Sequence, residues 1–203
     1  MKNRREFLQL GIAASTLPLS GGVIPVLAAS AKTQPVPIPL YKIIYDIRFP
    51  ASRAFASHAQ RLGEQIDGIE GDITGLWYYD LYDQWQQGPP AAIAGLTAEE
   101  PLFCLERLAG DARMRVVFRA AHTCLPDGRV EHVLSGSELV LNQAVNLRDS
   151  GLAWTSQIAD LVTCYPHSRK CVLQRKIVTS RASHADDDPE QLFSWVIAPV
   201  DHT

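Results

Sequence analysis

No stretch of this chain of 203 residues reaches the roughly eighteen uninterrupted apolar positions of a membrane-spanning helix, so a helical membrane protein is not expected. An excess of either charge is missing as well. The 19 basic and 22 acidic residues leave −3, with no clustered basic face, and without one nucleic acid is not an expected partner. Thirteen glycines and thirteen prolines are too few for a fibrous or low-complexity chain. The length is short for two full domains, and 46% hydrophobic residues are too many for disorder, which leaves one globular domain.

The usual catalytic signatures are absent too. There is no G-x-S-x-G elbow, no G-x-x-x-x-G-K-[ST] phosphate loop, no G-x-G-x-x-G behind a strand and no H-E-x-x-H pair. Without C-x-x-C-H, covalent c-type haem is excluded. No cofactor can be named from the sequence, and no metal site is assigned.

What is present begins at the N-terminus. Asn3-Arg4-Arg5-Glu6-Phe7-Leu8-Gln9 leads into a mildly apolar run from Leu10 to Leu27 and then into Ala28-Ala29-Ser30-Ala31. A basic start, a weak apolar middle and small residues at a cut site make a targeting peptide. Pro18, Gly21, Gly22 and Pro25 argue against a packed helix there. The segment resembles a twin-arginine (Tat) signal, with Arg-Arg-x-Phe-Leu intact and Asn3 and Gln9 departing from the usual residues. That resemblance covers 1–31 alone. It implies handling by the Tat translocase, export of a folded protein to the periplasm or beyond, and often a redox context. The removed piece would carry Lys2, Arg4, Arg5 and Glu6, leaving the domain more acidic, at −5.

Residues 32–40, with Pro35, Pro37 and Pro39 alternating, read as an extended leader, and 41–203 as a single domain. Tyr41 to Phe49 is β-branched and aromatic and predicts a strand, followed by a helix to Leu62 and a short strand at Gln65 to Glu70. Asp72 suits a helix N-cap before the aromatic segment up to Gly88, whose spacing is helical, although the aromatics leave a strand open for Leu76 to Tyr82. Ala91 to Leu96 predicts a buried strand. Thr97-Ala98-Glu99-Glu100 has the form of a capping box opening the next helix, and Arg113 to Ala121 is the strand behind it. This alternation predicts an α/β fold: a small, mostly parallel sheet with helices on both faces. Pro126-Asp127-Gly128 then turns the chain back into Arg129 to Leu134, starting an antiparallel C-terminal extension. A helix capped by Ser150, with Leu152, Ile158, Leu161 and Val162 as core, precedes a strand at Val172 to Ser180 and a second strand or short helix at Gln191 to Ala198.

Ligands of open α/β sheets lie beyond the carboxyl ends of the strands. Those ends carry Arg48 and Ser52, Asp72, Thr97 and His122. Arg48 could hold an anionic group and His122 could act as acid or base, although Ser52, Asp72 and Thr97 also serve as helix caps. In the segment from Trp77 to Trp85 there are more aromatics than one helical face can bury. Trp77, Tyr78 and Tyr82 are therefore candidates for contact with a ligand or partner. Cys164 and Cys171 bracket a polar turn and suit a disulfide in an oxidising compartment; with His167 they could instead take a thiophilic metal. The reading that joins these features is an exported accessory or small subunit, or ligand-binding protein, of a larger redox enzyme. A free-standing enzyme for a small organic acid or aromatic compound, using His122, and a metal chaperone are the alternatives.

Overall fold

A computed structural model describes residues 37–88, 91–166, 173–181 and 191–199. These residues fall in one compact unit. Strand β1 (Leu40–Asp46) ends at a turn, and Pro50 opens helix α1 (Pro50–Arg61), where its missing amide costs no hydrogen bond. Strand β2 (Ile66–Ile69) follows. The aromatic segment is helical in three pieces: α2 (Thr74–Leu76), a π-helical turn (Trp77–Leu81) and α3 (Tyr82–Gln87). Then come β3 (Ala92–Thr97), α4 (Glu99–Asp111), β4 (Met114–Cys124) and β5 (Val130–Gly136). Helix α5 (Glu138–Gln143) and two 3₁₀ turns (Ala144–Asp149 and Gly151–Ala153) lead into α6 (Trp154–Thr163). Strands β6 (Gln174–Ser180) and β7 (Gln191–Pro199) complete the order.

The fold is α/β, built on one seven-stranded mixed sheet in the order β2-β1-β3-β7-β4-β5-β6. Strand β1 pairs in parallel with β2 and β3, and the remaining neighbours are antiparallel. The last strand is inserted in the middle of the sheet, between β3 and β4. Its sequence accounts for this position. Leu192 to Ala198 is buried without a break, as is all of β3, and a strand covered on both faces needs apolar or small residues throughout.

Two cores sit on the two faces. Ile43, Leu96, Phe118, Leu134 and Val196 pack with Phe55 of α1 and Ile158 and Val162 of α6. Ile44, Ile93, Trp195 and Ile197 pack on the opposite face with Leu81, Trp85, Leu102 and Leu105. Between β1 and β7 the backbone comes very close at Gly95, where a Cβ would stand 2.4 Å from the Ile44 carbonyl and 2.6 Å from the Trp195 ring.

Several local expectations are corrected. Ala98, not Thr97, occupies the N-cap of α4, with no side-chain cap. Thr97 closes β3 instead, and its hydroxyl donates to the Ala98 carbonyl while accepting from Trp195 Nε1. Ser150 does not cap α6, which begins at Trp154; the Ser150 hydroxyl donates back to the Leu147 carbonyl. Leu152, expected in the core, is 72% exposed, whereas Ile158, Leu161 and Val162 are buried. The helical stretch from Glu138 to Asp149 was not anticipated. At the start of the described chain, Ile38 is buried and its amide donates to the Tyr165 carbonyl, so the end of the proline-rich leader packs on the domain.

Candidate functional site

Alternation of strand direction brings the carboxyl ends of β1, β2, β3, β4 and β6 to the same edge of the sheet as the amino ends of β5 and β7. Asp46, Thr97, His122, His132, Ser180 and Ser194 therefore lie along one edge, on two faces.

On the α1/α6 face a polar chain crosses four strands. His122 of β4 stands opposite His132 of β5, and their Nδ1 atoms are 2.7 Å apart. His122 Nε2 lies 2.8 Å from Ser194 Oγ of β7, and His132 Nε2 lies 3.0 Å from Ser180 Oγ of β6. The Ser180 hydroxyl reaches the Val130 carbonyl at 3.5 Å. One direction of donation satisfies every group. Ser194 O–H donates to His122 Nε2, His122 Nδ1–H to His132 Nδ1, His132 Nε2–H to Ser180 Oγ, and Ser180 O–H to the carbonyl. Reversed, the Ser194 proton would have no acceptor among the described residues, which costs free energy in a buried site. The Trp154 ring covers both imidazoles, with centroids 4.8 and 5.4 Å away. All five side chains are buried. Burial holds His122 well below the ordinary histidine value, with the facing His132 adding to the effect, and burial alone brings His132 down to about 4. Both rings are neutral at pH 7, and both nitrogens of each are engaged within the fold.

The other sequence candidates are placed nearby without converging on one cleft. Ser52 is buried in the first turn of α1, where its hydroxyl donates to the Leu96 carbonyl and accepts from the Asp46 amide. This clamps α1 to β1 and β3. Arg48 makes a two-pronged ion pair with the fully buried Asp46 carboxylate, at 2.9 and 2.7 Å, and its guanidinium stacks 4.9 Å from the Phe49 ring. The hydrogen bond to Asp46 raises the Arg48 pKa further. Gly71, at φ +81°, leaves room for that guanidinium, which a Cβ would meet at 2.5 Å. Asp72 is exposed and is not the N-cap of α2, which is Ile73; its carboxylate accepts from the Thr74 hydroxyl and amide, which lowers its pKa.

Of the aromatic candidates, Trp77 and Tyr78 belong to the π-helical turn, and Tyr82 follows it as the first residue of α3. Tyr82 N–H donates to the Trp77 carbonyl, five residues back, so one extra residue is looped into the helix. Leu76, Leu81 and Trp85 turn inward, and Trp77 meets Tyr82 and Trp85 edge to face at 5.6 and 6.0 Å. Outward stand Tyr79, 90% exposed, Tyr78, 69%, and Tyr82, 48%. The turn is anchored through Asp80, which accepts from the Tyr41 hydroxyl at 2.5 Å and pairs with Lys42, itself paired with Asp67. Burial works against the Lys42 charge, but the hydrogen bonds to Asp80 and Asp67 outweigh it and raise its pKa.

Cys104, Cys124 and Cys164 form no disulfide among the described residues. Cys171 and His167 lie outside the described residues, and with them the expected Cys164–Cys171 bridge and the three-ligand metal cluster. Among the described residues no group of three or more His, Cys, Asp or Glu side chains could hold a metal ion, and no helix is long and apolar enough to cross a membrane.

His132, Ser180, Ser194 and Trp154 were not singled out from sequence. A signal for His132 exists, since Asp127, at the centre of the Pro126-Asp127-Gly128 turn, stands midway between His122 and His132. A tight hairpin about that turn puts the two side chains opposite one another, on the same face. No family model matches the chain, and no curated protein or solved structure matches it either.

Proposed function

We propose that this chain is an exported, non-catalytic accessory or small subunit that docks on a larger redox partner in the periplasm through the ridge of Tyr78, Tyr79 and Tyr82. The observation that carries the reading is that ridge: three tyrosines pushed into solvent by a π-helical turn and held in place by Asp80, Lys42 and Tyr41. Tyrosines are enriched among the residues that dominate interface energies, because each joins apolar area to a polar tip at small conformational cost. The Arg4-Arg5 motif and the small-residue cut site support export in the folded state. The polar groups able to do acid–base work favour the same reading. His122 is saturated by His132 and Ser194 beneath Trp154, Ser52 is committed to the backbone, and Asp46 to Arg48. A free-standing enzyme using His122 as acid or base would first have to open that core.

Co-purification of the tagged full chain from the periplasm of its own host, at physiological salt, tests the proposal. The expected result is a larger redox protein recovered with the wild-type chain and lost with Tyr78→Ser/Tyr79→Ser. Recovery of the wild-type chain alone would overturn it.

A further inference from the structure

A second surface feature stands apart from the aromatic ridge. At the end of the sheet where β5 begins and β6 ends, a cleft of about 450 Å³ is lined by Arg129, Arg148, Asp149, Gly151, Thr179 and Arg181. Three guanidinium groups face one carboxylate there, in a chain whose overall charge is −3. Arg129 is held by Asp127, with Nε 2.8 Å and Nη2 2.6 Å from the same carboxylate oxygen. Arg148 and Arg181 form no ion pair among the described residues, although both line the cleft. Guanidinium stays protonated at any physiological pH, so these two groups present permanent positive charge and a fork of donors that matches carboxylate or phosphate oxygens.

We propose that this cleft binds a small, hydroxylated polyanion, carrying two or more anionic carboxylate or phosphate oxygens. Two arginines without an ion pair among the described residues ask for at least two negative charges, and Asp149 supplies an acceptor for a hydroxyl of the ligand. Thr179 adds a hydroxyl that can donate or accept. The lining comes from three parts of the fold. Arg129 precedes β5 and is set by the Asp127 turn; Arg181 follows β6; Arg148 and Asp149 close a 3₁₀ turn next to Gly151, whose φ of +53° reverses the chain into α6.

Isothermal titration of the full chain with citrate and with inorganic phosphate at low ionic strength tests the proposal and distinguishes the two anion chemistries. Binding of at least one, with Kd below about 1 mM, is expected, and the tighter of the two names the anionic group. Arg148→Gln and Arg181→Gln should each weaken it by about tenfold or more, and Arg148→Lys should only partly restore it, because the charge returns without the fork. Arg175→Gln, at the other end of β6, should leave binding unchanged, with circular dichroism confirming that all variants fold. Amide shifts on titration should centre on Gly151 and Thr179. Absence of binding by both anions would overturn the proposal, and so would an equal loss from Arg175→Gln, since that would be the diffuse field of the surface rather than a site.

Discussion

His122 and His132 face each other across the β4–β5 ladder with their Nδ1 atoms 2.7 Å apart, so one ring must donate to the other, and protonating the accepting Nδ1 would break the contact. The pair joins Ser194 on one side to Ser180 on the other and ties four adjacent strands, β7, β4, β5 and β6, through side chains. A chain of this kind is coupled, because removing one member leaves its neighbours buried and unpaired.

That coupling has a measurable consequence. Replacing His122 or His132 singly by Phe leaves the Nδ1 of the other ring and one serine hydroxyl unpaired, at a cost of about 2 kcal/mol or more. With both replaced, the two ring–ring groups disappear together, so the double variant should be destabilised by clearly less than the sum of the singles. Urea unfolding of the four proteins of this double-mutant cycle checks it. Additive losses would mean that the rings act independently.

Acid should weaken the same region. In the unfolded chain both histidines take up a proton near 6.5, whereas in the fold burial keeps His122 well below that value and His132 at about 4. Between those values the unfolded state binds more protons than the native one. Stability is therefore complete above 6.5 and falls as pH is lowered towards 4, by about 3 kcal/mol for His132. Urea midpoints measured from pH 7 down to pH 4 should decline through this window, and the decline should be shallower in the His122→Phe/His132→Phe variant. A flat wild-type profile above pH 4.5 would contradict neutral burial.

The backbone approach at Gly95 makes a third expectation. An alanine Cβ there would press on the Ile44 carbonyl and on the Trp195 ring, neither of which is the free end of a flexible side chain. Trp195 is held further by its indole N–H to Thr97 Oγ1 at 3.2 Å. Gly95→Ala should therefore cost about 3 kcal/mol, near the upper end of ordinary overpacking, with the strain shared between β1 and β7. Thermal unfolding measures it, and a loss below about 1 kcal/mol would mean that β1 and β7 separate more easily than their packing suggests.

Much of this architecture could be read from sequence, for identifiable reasons. The alternation of apolar strands and helical spacings from Tyr41 to Ala121 carried the α/β class, because β1, α1, α4 and β4 are long enough for their periods to be visible. The position of β7 was less legible. A run such as Leu192 to Ala198 announces burial on both faces, but pairing between strands distant in sequence depends on which edges are free. Capping signals misled at Thr97 and Ser150. A Ser or Thr hydroxyl that finds a backbone carbonyl, as at Ala98 and Leu147, does not need a helix amide. Of the site candidates, His122 was visible as a polar residue at a strand end. The partners that bury it came from β5, β6, β7 and the start of α6, and only the hairpin turn at Asp127 gave local notice of one of them.

The π-helical turn offers the sharpest separation of folding from the proposed docking role. It holds one residue more than a regular helix needs between Trp77 and Tyr82, and the side chains best placed to supply that residue, Tyr78 and Tyr79, are also the most exposed of the segment. Deleting Tyr79 would let the helix close with ordinary four-residue hydrogen bonds, while Leu81, Trp85 and the Asp80 anchor stay on the same side of the deletion. Improved hydrogen bonding offsets the shift imposed on Leu76 and Trp77, so stability should change by no more than about 1 kcal/mol. Partner capture should fall as far as it does in Tyr78→Ser/Tyr79→Ser, because the ridge is then removed in shape as well as in composition. Thermal unfolding and co-purification of the deletion variant measure the two effects separately. Full capture by a stably folded deletion variant would show that the extra residue serves packing within the helix and not the docking surface.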